Sequence, residues 1–194
     1  MENNKDITRD NIIAAASLAF SKYGYKKTTL DDIAGFTNVS KTGLYYYFKN
    51  KEEVFNEVIK KEAKRLQQIL TEAVNQESRP IDKIFAYFRE RMIFLAQISN
   101  YYSALHFDLS EHLNTIKNNR QEFDEIELKI LLEILEDGIK KGDFSIDDTQ
   151  ATAETLLLVL ISLEIPLFGS NNIENYEETL DRLMNLCLYG IIPR

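Results

Sequence analysis

A chain of 194 residues, 44% apolar and 28% charged, is long enough to bury one large or two small cores. Seven Gly and three Pro are too few for a many-turned β architecture, and a single cysteine, Cys187, excludes an internal disulfide and suits a reducing compartment. The formal charge of -8 has the wrong sign for a nucleic-acid binder, but residues 1–65 hold 12 Lys and Arg against 9 Asp and Glu, a balance of +3, while the remaining 129 hold 11 against 22, a balance of -11.

Leu, Ile, Glu, Lys and Ala dominate, which makes the expected class all-α. The opening residues, MENNKDITRD, mix acids and bases in a way that fits neither a signal peptide nor a transit peptide. The first amphipathic helix is expected over residues 8–23, with Ile12, Ala16, Ala19, Phe20 and Tyr23 at three- and four-residue spacings, Thr8 as its cap and Gly24 as its stop. Lys26 and Lys27 follow, in a connection that is either a solvated turn or a phosphate contact.

A second helix is expected to start at Thr29, whose hydroxyl can accept the amide proton of Asp32, with Leu30, Ile33, Ala34 and Phe36 buried. Asn38 stands where a tight turn needs a residue tolerant of left-handed backbone, Val39 would anchor that turn, and Ser40 would cap the third helix. That helix, residues 41–48, is too short to stand alone. Leu44 and Phe48 are its inward anchors; Lys41, Thr42, Gly43, Tyr45, Tyr46 and Tyr47 cannot all be buried with them. Three consecutive tyrosines offer rings for thymine methyls and hydroxyls for phosphates. Asn50 then caps a fourth helix, with Glu53 completing a capping box and Lys51 in the first turn, where a cation opposes the helix dipole unless phosphate is near. A helix start, a tight turn, a short hydroxyl- and ring-rich helix and a capped restart are the pattern of a helix-turn-helix DNA reader.

Residues 8–59 resemble the DNA-binding domain of the TetR family of bacterial transcriptional regulators, through Gly24-Tyr25, Thr28-Thr29, Ile33-Ala34, Val39-Ser40-Lys41, Leu44-Tyr45-Tyr46-Tyr47-Phe48 and Lys49-Asn50-Lys51-Glu52-Glu53. The resemblance implies a homodimer whose third helices enter successive major grooves of a palindromic operator in double-stranded DNA, usually as a repressor released by a small ligand. Carried onto the matching positions, the family's DNA contacts fall on Thr29, Lys41, Thr42, Tyr45, Tyr46, Tyr47 and Lys51. Two departures stand out: Thr37-Asn38 where the family often has Ala-Gly, and Thr42-Gly43 where it often has Gly-Thr. The second moves a hydroxyl contact by one position.

The expected organisation is a three-helix helix-turn-helix domain over residues 1–50 and a larger helical ligand-binding and dimerisation domain over residues 51–194. A long fourth helix reaches about Val74, and Ser78-Arg79-Pro80 marks a fresh start. The fifth, Ile81 to Ile98, is apolar over a wide arc through Ile84, Phe85, Phe88, Met92 and Leu95. Arg91 lies within that arc and needs a partner. It reads either as an anchor for the head group of a small apolar or acidic amphipathic ligand, or as half of an internal ion pair. Glu164, the one acid between Leu156 and Phe168, reads as its partner or as a group facing a ligand cation. With Phe88, Tyr102, His106 and Phe107 these residues form the candidate ligand site. A short sixth helix is expected around Tyr101 to His112, and a seventh from Asn119 to Lys141, closed by Gly142, with its charges on a wet face.

Two last helices are expected over 147–168 and 176–189, the first apolar on nearly every side from Leu156 to Leu163, as suits half of a two-fold bundle. Ser162, Glu164 and Pro166 interrupt this run, which is too short to span a bilayer. No metal-ligand spacing, phosphate-binding glycine loop or nucleophile elbow occurs, so the expectation is a cytoplasmic regulator with no cofactor, no metal, no membrane partner and no enzymatic activity. The alternative function is a helix-turn-helix regulator controlled by a protein partner, with no small-molecule inducer.

Overall fold

The computed structural model describes the backbone of residues 2–106, 109–168, 178 and 182–186, with side chains over 5–95, 97, 124–163, 178 and 182–186. Among the described residues there are seven helices and no strand: α1 (Glu2–Tyr23), α2 (Leu30–Gly35), α3 (Lys41–Tyr47), α4 (Lys51–Gln76), α5 (Pro80–His106), α6 (Leu109–Lys141) and α7 (Thr149–Phe168). Residues 182–186 are helical as well. The fold is all-α. It packs as two compact units, Met1–Lys64 with Ile98–Asn119, and Arg65–Gln97 with Arg120–Arg194.

In the first unit, α1 is already helical at Glu2, so Thr8 lies inside the helix and not at its cap. Its end falls where the sequence puts it: Gly24 takes a φ of 77°, and its amide donates to the Phe20 carbonyl at 2.8 Å. The core draws Ile12, Ala16, Ala19 and Phe20 from α1, Ile33 from α2, Leu44 of α3 with the adjoining Phe48, and Val54, Phe55 and Val58 from α4. Rings of Phe20, Tyr25 and Phe55 meet at centroid distances of 4.5 to 5.7 Å, an arrangement that adds orientation to apolar burial. Thr28 is buried too, its hydroxyl donating to the Gly24 carbonyl at 2.7 Å. Tyr23 and Phe36, expected inside, are instead exposed and meet each other edge-on at 6.1 Å, with the Lys22 ammonium over both rings.

In the second unit, α5 opens on Pro80, at a position where a missing amide proton costs nothing. The expected break near Asn119 does not occur: α5 runs to His106 and α6 continues unbroken from Leu109 to Lys141. Residues 109–137 contain neither Gly nor Pro, and asparagine lowers helix propensity too little to end a helix. The end of α6 follows the expected order, Lys140, Lys141, then Gly142 at a φ of 77°. Gly138 has a different job. A Cβ there would stand 2.0 Å from the ring of buried Phe144, so the last turn needs glycine to let that ring pack. Asp148 starts α7, its carboxylate accepting the Ala151 amide at 2.9 Å.

The core of this unit comes from Ile84, Phe88 and Met92 of α5, Leu131 and Leu135 of α6, and Ala153 and Leu160 of α7. An outer polar seam joins α5 to α6, with Asp137 receiving Lys83 at 3.1 Å and Lys141 at 2.9 Å. Leu158 and Leu186 remain 63% and 75% exposed. Among the described residues, no helix is long and apolar enough to cross a membrane.

Candidate functional site

The two short helices of the first unit are six and seven residues long, below the length at which a helix stands on its own, so their geometry is set by caps and anchors. Thr29 caps α2: its hydroxyl oxygen accepts the Asp32 amide at 3.1 Å, while the Asp32 carboxylate accepts the Thr29 amide at 2.8 Å and hydroxyl proton at 2.7 Å. These bonds from the Thr29 side chain and backbone hold the Asp32 carboxyl below the usual aspartate range. The turn that follows is organised by Thr37, whose hydroxyl donates to the Ala34 carbonyl and accepts the Val39 amide, both at 3.1 Å. Ser40 caps α3, accepting the Gly43 amide at 3.1 Å. A Cβ on Gly43 would lie 2.9 Å from Val39 Cγ1 and 3.3 Å from Ser40 Oγ, so this glycine admits a close approach by the turn itself.

Leu44 and Phe48, each 1% exposed, fix the inward face of α3. The outward face follows. Lys41, Thr42, Tyr45 and Tyr46 are exposed, Tyr46 to 70%, and the half-buried Tyr47 sets its ring edge-on to Tyr46 at 5.2 Å. The Lys5 ammonium stands 4.9 Å from the Tyr46 ring centre, which the extra turns of α1 make possible. Lys41 Nζ meets Asp31 of α2 at 2.7 Å, with both side chains more than half exposed. That hydrogen bond and the Asp31 charge raise the Lys41 ammonium above the usual lysine range. Lys51 Nζ donates to the carbonyls of Tyr25 at 2.8 Å and Lys26 at 3.3 Å and lies over the Tyr25 ring, which puts its charge at the connection that carries exposed Lys26 and Lys27. Thr29, the remaining expected contact, is exposed at the start of α2.

One unit therefore gathers Thr29, Lys41, Thr42, Tyr45, Tyr46, Tyr47 and Lys51. Rings and hydroxyls suited to base edges and sugars stand beside ammonium groups suited to phosphates. Sequence reasoning missed three of their neighbours: Thr37 as the turn's organiser, Asp31 as the partner of Lys41, and Lys5. Two adjacent aspartates at a helix start were the available signal for Asp31, since a single one suffices for the cap. No local pattern marks Lys5.

Of the residues expected at a ligand, Phe88 and Arg91 are described. The side chains of Tyr102, His106 and Glu164, and all of Phe107, lie outside the described residues. Arg91 is 1% exposed and pairs with Glu127 of α6, Nε to carboxylate at 2.6 Å and Nη2 at 3.4 Å. The same carboxylate accepts the Tyr87 hydroxyl. Burial, and then the Glu127 charge, push the Tyr87 phenol well above its ordinary value. Glu127 itself is 5% exposed, a correction to the wet face expected for α6 charges. It stands four residues before Leu131 and seven before Ile134, on the apolar stripe of its own helix. Phe88 is buried beside this cluster, its ring 5.9 Å from that of Tyr87.

A capped helix, an ordered turn and a second helix anchored by two residues and otherwise facing solvent make the reading head of a helix-turn-helix transcriptional regulator. Residues 12–58 match the family described as bacterial regulatory proteins, tetR family. The chain is 31% identical over 159 residues to the uncharacterized HTH-type transcriptional regulator YhgD of Bacillus subtilis strain 168, spanning 78% of this chain and 80% of that one. It belongs to the TetR family of bacterial transcriptional regulators. It is also 33% identical over 102 residues to IcaR, the negative transcriptional regulator of the biofilm operon icaADBC in Staphylococcus aureus, across 53% of each chain. Among solved structures, a candidate fatty acid metabolism regulator of Clostridium perfringens superposes with a TM-score of 0.71 at 29% identity, covering 95% of this chain and all of that one. These relatives are transcriptional regulators, not enzymes.

Proposed function

We propose that this protein is a cytoplasmic, homodimeric repressor that binds a palindromic operator in double-stranded DNA and is released by a small, largely apolar or acidic amphipathic ligand. Residues 1–50 read DNA in this scheme and residues 51–194 regulate. The observation that carries the DNA half is the outward face of α3: Lys41, Thr42, Tyr45 and Tyr46 are offered to solvent while Leu44 and Phe48 hold the helix from behind. Thr42, Tyr45, Tyr46 and Tyr47 face base edges and sugars, Thr29 and Lys41 meet phosphates, and Lys51 with Lys26 and Lys27 forms a second phosphate contact at the α1–α2 connection. Lys5 adds a further cation beside Tyr46. Exposed Leu158 and Leu186 support pairing through the last helices, which would set two copies of α3 about one DNA turn, roughly 34 Å, apart. Phe88 and Arg91, together with Tyr102, His106, Phe107 and Glu164, are the residues assigned to the ligand.

DNA from upstream of the protein's own gene is the probe. Tyr46→Ala weakens operator binding by about 1–3 kcal/mol. Lys51→Ala lowers the salt dependence of log K by about 0.9, because one phosphate is no longer neutralised, and Lys51→Arg restores it. Unchanged operator affinity in both alanine variants overturns the assignment. Control by a protein partner is the second reading, and the Arg91–Glu127 pair favours it, because it engages the guanidinium otherwise available to an acidic head group. Mass spectrometry of small molecules copurifying with the native protein separates the two: an acyl or other amphipathic compound supports the first, and a protein free of bound compound supports the second.

A further inference from the structure

The two short helices of the reading head are held in register by separate caps, Thr29 with Asp32 on α2 and Ser40 with the Gly43 amide on α3. Between them the caps fix the second residue of α2 and the first of α3 as neighbours, and these are Asp31 and Lys41. Their side chains meet at 2.7 Å in the open, 58% and 59% exposed. The adjacent aspartates have divided roles: Asp32 is engaged in the cap, and Asp31 takes no part in it. An acid that neither caps its helix nor supports the core, placed on the one cation of α3, has an electrostatic consequence for whatever that helix approaches.

We propose that Asp31 is a built-in counter-charge to DNA binding: it holds the Lys41 ammonium in the free protein and must release it when Lys41 moves to a phosphate. The proposal rests on the DNA-binding reading and adds to it a residue that opposes binding. When Lys41 turns to DNA, the carboxylate is left facing a negatively charged backbone. Each cation delivered to phosphate ordinarily releases a condensed counterion and steepens the salt dependence; here the contribution of Lys41 is offset by the acid it leaves behind. Exposed pairs of this kind are weak, so the brake is mild and reversible, a matter of a few-fold in affinity and not a lock. Its effect is equal on operator and non-operator DNA, because phosphate contacts carry no sequence information. With a balance of only +3 over the first 65 residues, one opposed lysine is a sizeable share of the attraction.

The test is Asp31→Asn in the full-length protein, titrated against operator DNA and an unrelated duplex of equal length across a salt series. Affinity for both duplexes rises about two- to fivefold at low salt, the slope of log K against log salt steepens by up to about 0.9, and the operator-to-non-operator ratio stays within about twofold. In a Lys41→Ala background the same substitution gains less in affinity and slope, since only the carboxylate's own repulsion of the backbone is left to remove. An unchanged slope and affinity overturn the proposal. So does weaker binding, which makes Asp31 an aid that pre-orients Lys41, or a changed preference at one base pair, which makes it a base-reading carboxylate. A gain undiminished without Lys41 also overturns it, as general charge. Wild-type protein that binds the two duplexes alike and without salt dependence defeats the DNA-binding reading itself, a different and separable failure.

Discussion

Glu127 is an acid on the apolar stripe of its helix, held there by a guanidinium and a phenol. Removing one partner of a buried ion pair leaves the other desolvated and uncompensated, which costs about 3–5 kcal/mol, whereas replacing both by apolar groups of similar size is close to neutral. Glu127→Gln is therefore strongly destabilising in urea titrations, and Arg91→Met with Glu127→Leu and Tyr87→Phe, which leaves no member of the cluster orphaned, recovers most of the loss. The Tyr87 phenol gives a pH signature. Its pKa is raised in the folded state, so the stability linked to it is intact below about pH 10, the ordinary tyrosine value, and is lost as pH climbs further, because the unfolded chain releases that proton first. In an alkaline titration followed by phenolate absorbance, Tyr87 ionises only as the protein unfolds, and Tyr87→Phe deletes that step. The need of Arg91 for a partner was legible from its place on the helical wheel. The identity of the partner was not, because Glu127 is surrounded in sequence by acids and lysines, which mask its place on the apolar stripe four residues before Leu131 and seven before Ile134.

At the level of the element, caps were the most legible feature and helix continuity the least. Thr29, Ser40, Gly24 and Gly142 each act where short-range chemistry puts them, since a cap is decided within three or four residues. The start of α1 and the length of α6 depend on weak propensities summed over many residues and on tertiary packing, and neither leaves a local mark. Gly43 carries the sharpest prediction at this scale. Alanine would favour the helix by about 1 kcal/mol, but its Cβ would meet Val39 Cγ1 at 2.9 Å, and such overpacking costs about 1–3 kcal/mol. Sterics win, so Gly43→Ala lowers the thermal midpoint, and adding Val39→Ala returns part of it. An unchanged or raised midpoint would show that the turn yields without strain.

Charge is divided unevenly along the whole chain. The basic balance lies in the first 65 residues, and among the described residues after them the two most exposed leucines are Leu158 and Leu186. The pairing proposed for the last helices predicts a dimer by sedimentation at micromolar concentration. Leu158→Glu shifts it toward monomer and weakens operator binding while the far-ultraviolet helix signal is retained. A stable monomer in the unaltered protein would remove the basis for two-fold operator recognition. The family was legible from little more than a quarter of the chain. The remainder resisted, because apolar helices of many folds share its periodicity.

At α3, Ser40, Gly43, Leu44 and Phe48 keep the helix in place, whereas Thr42, Tyr45 and Tyr46 face outward, Tyr46 with surface contacts to Tyr47 and Lys5. With the base-reading role proposed above for those three positions, substitutions there cost folding little, so a descendant of this protein would acquire a new operator by point changes alone, on a scaffold that barely registers them.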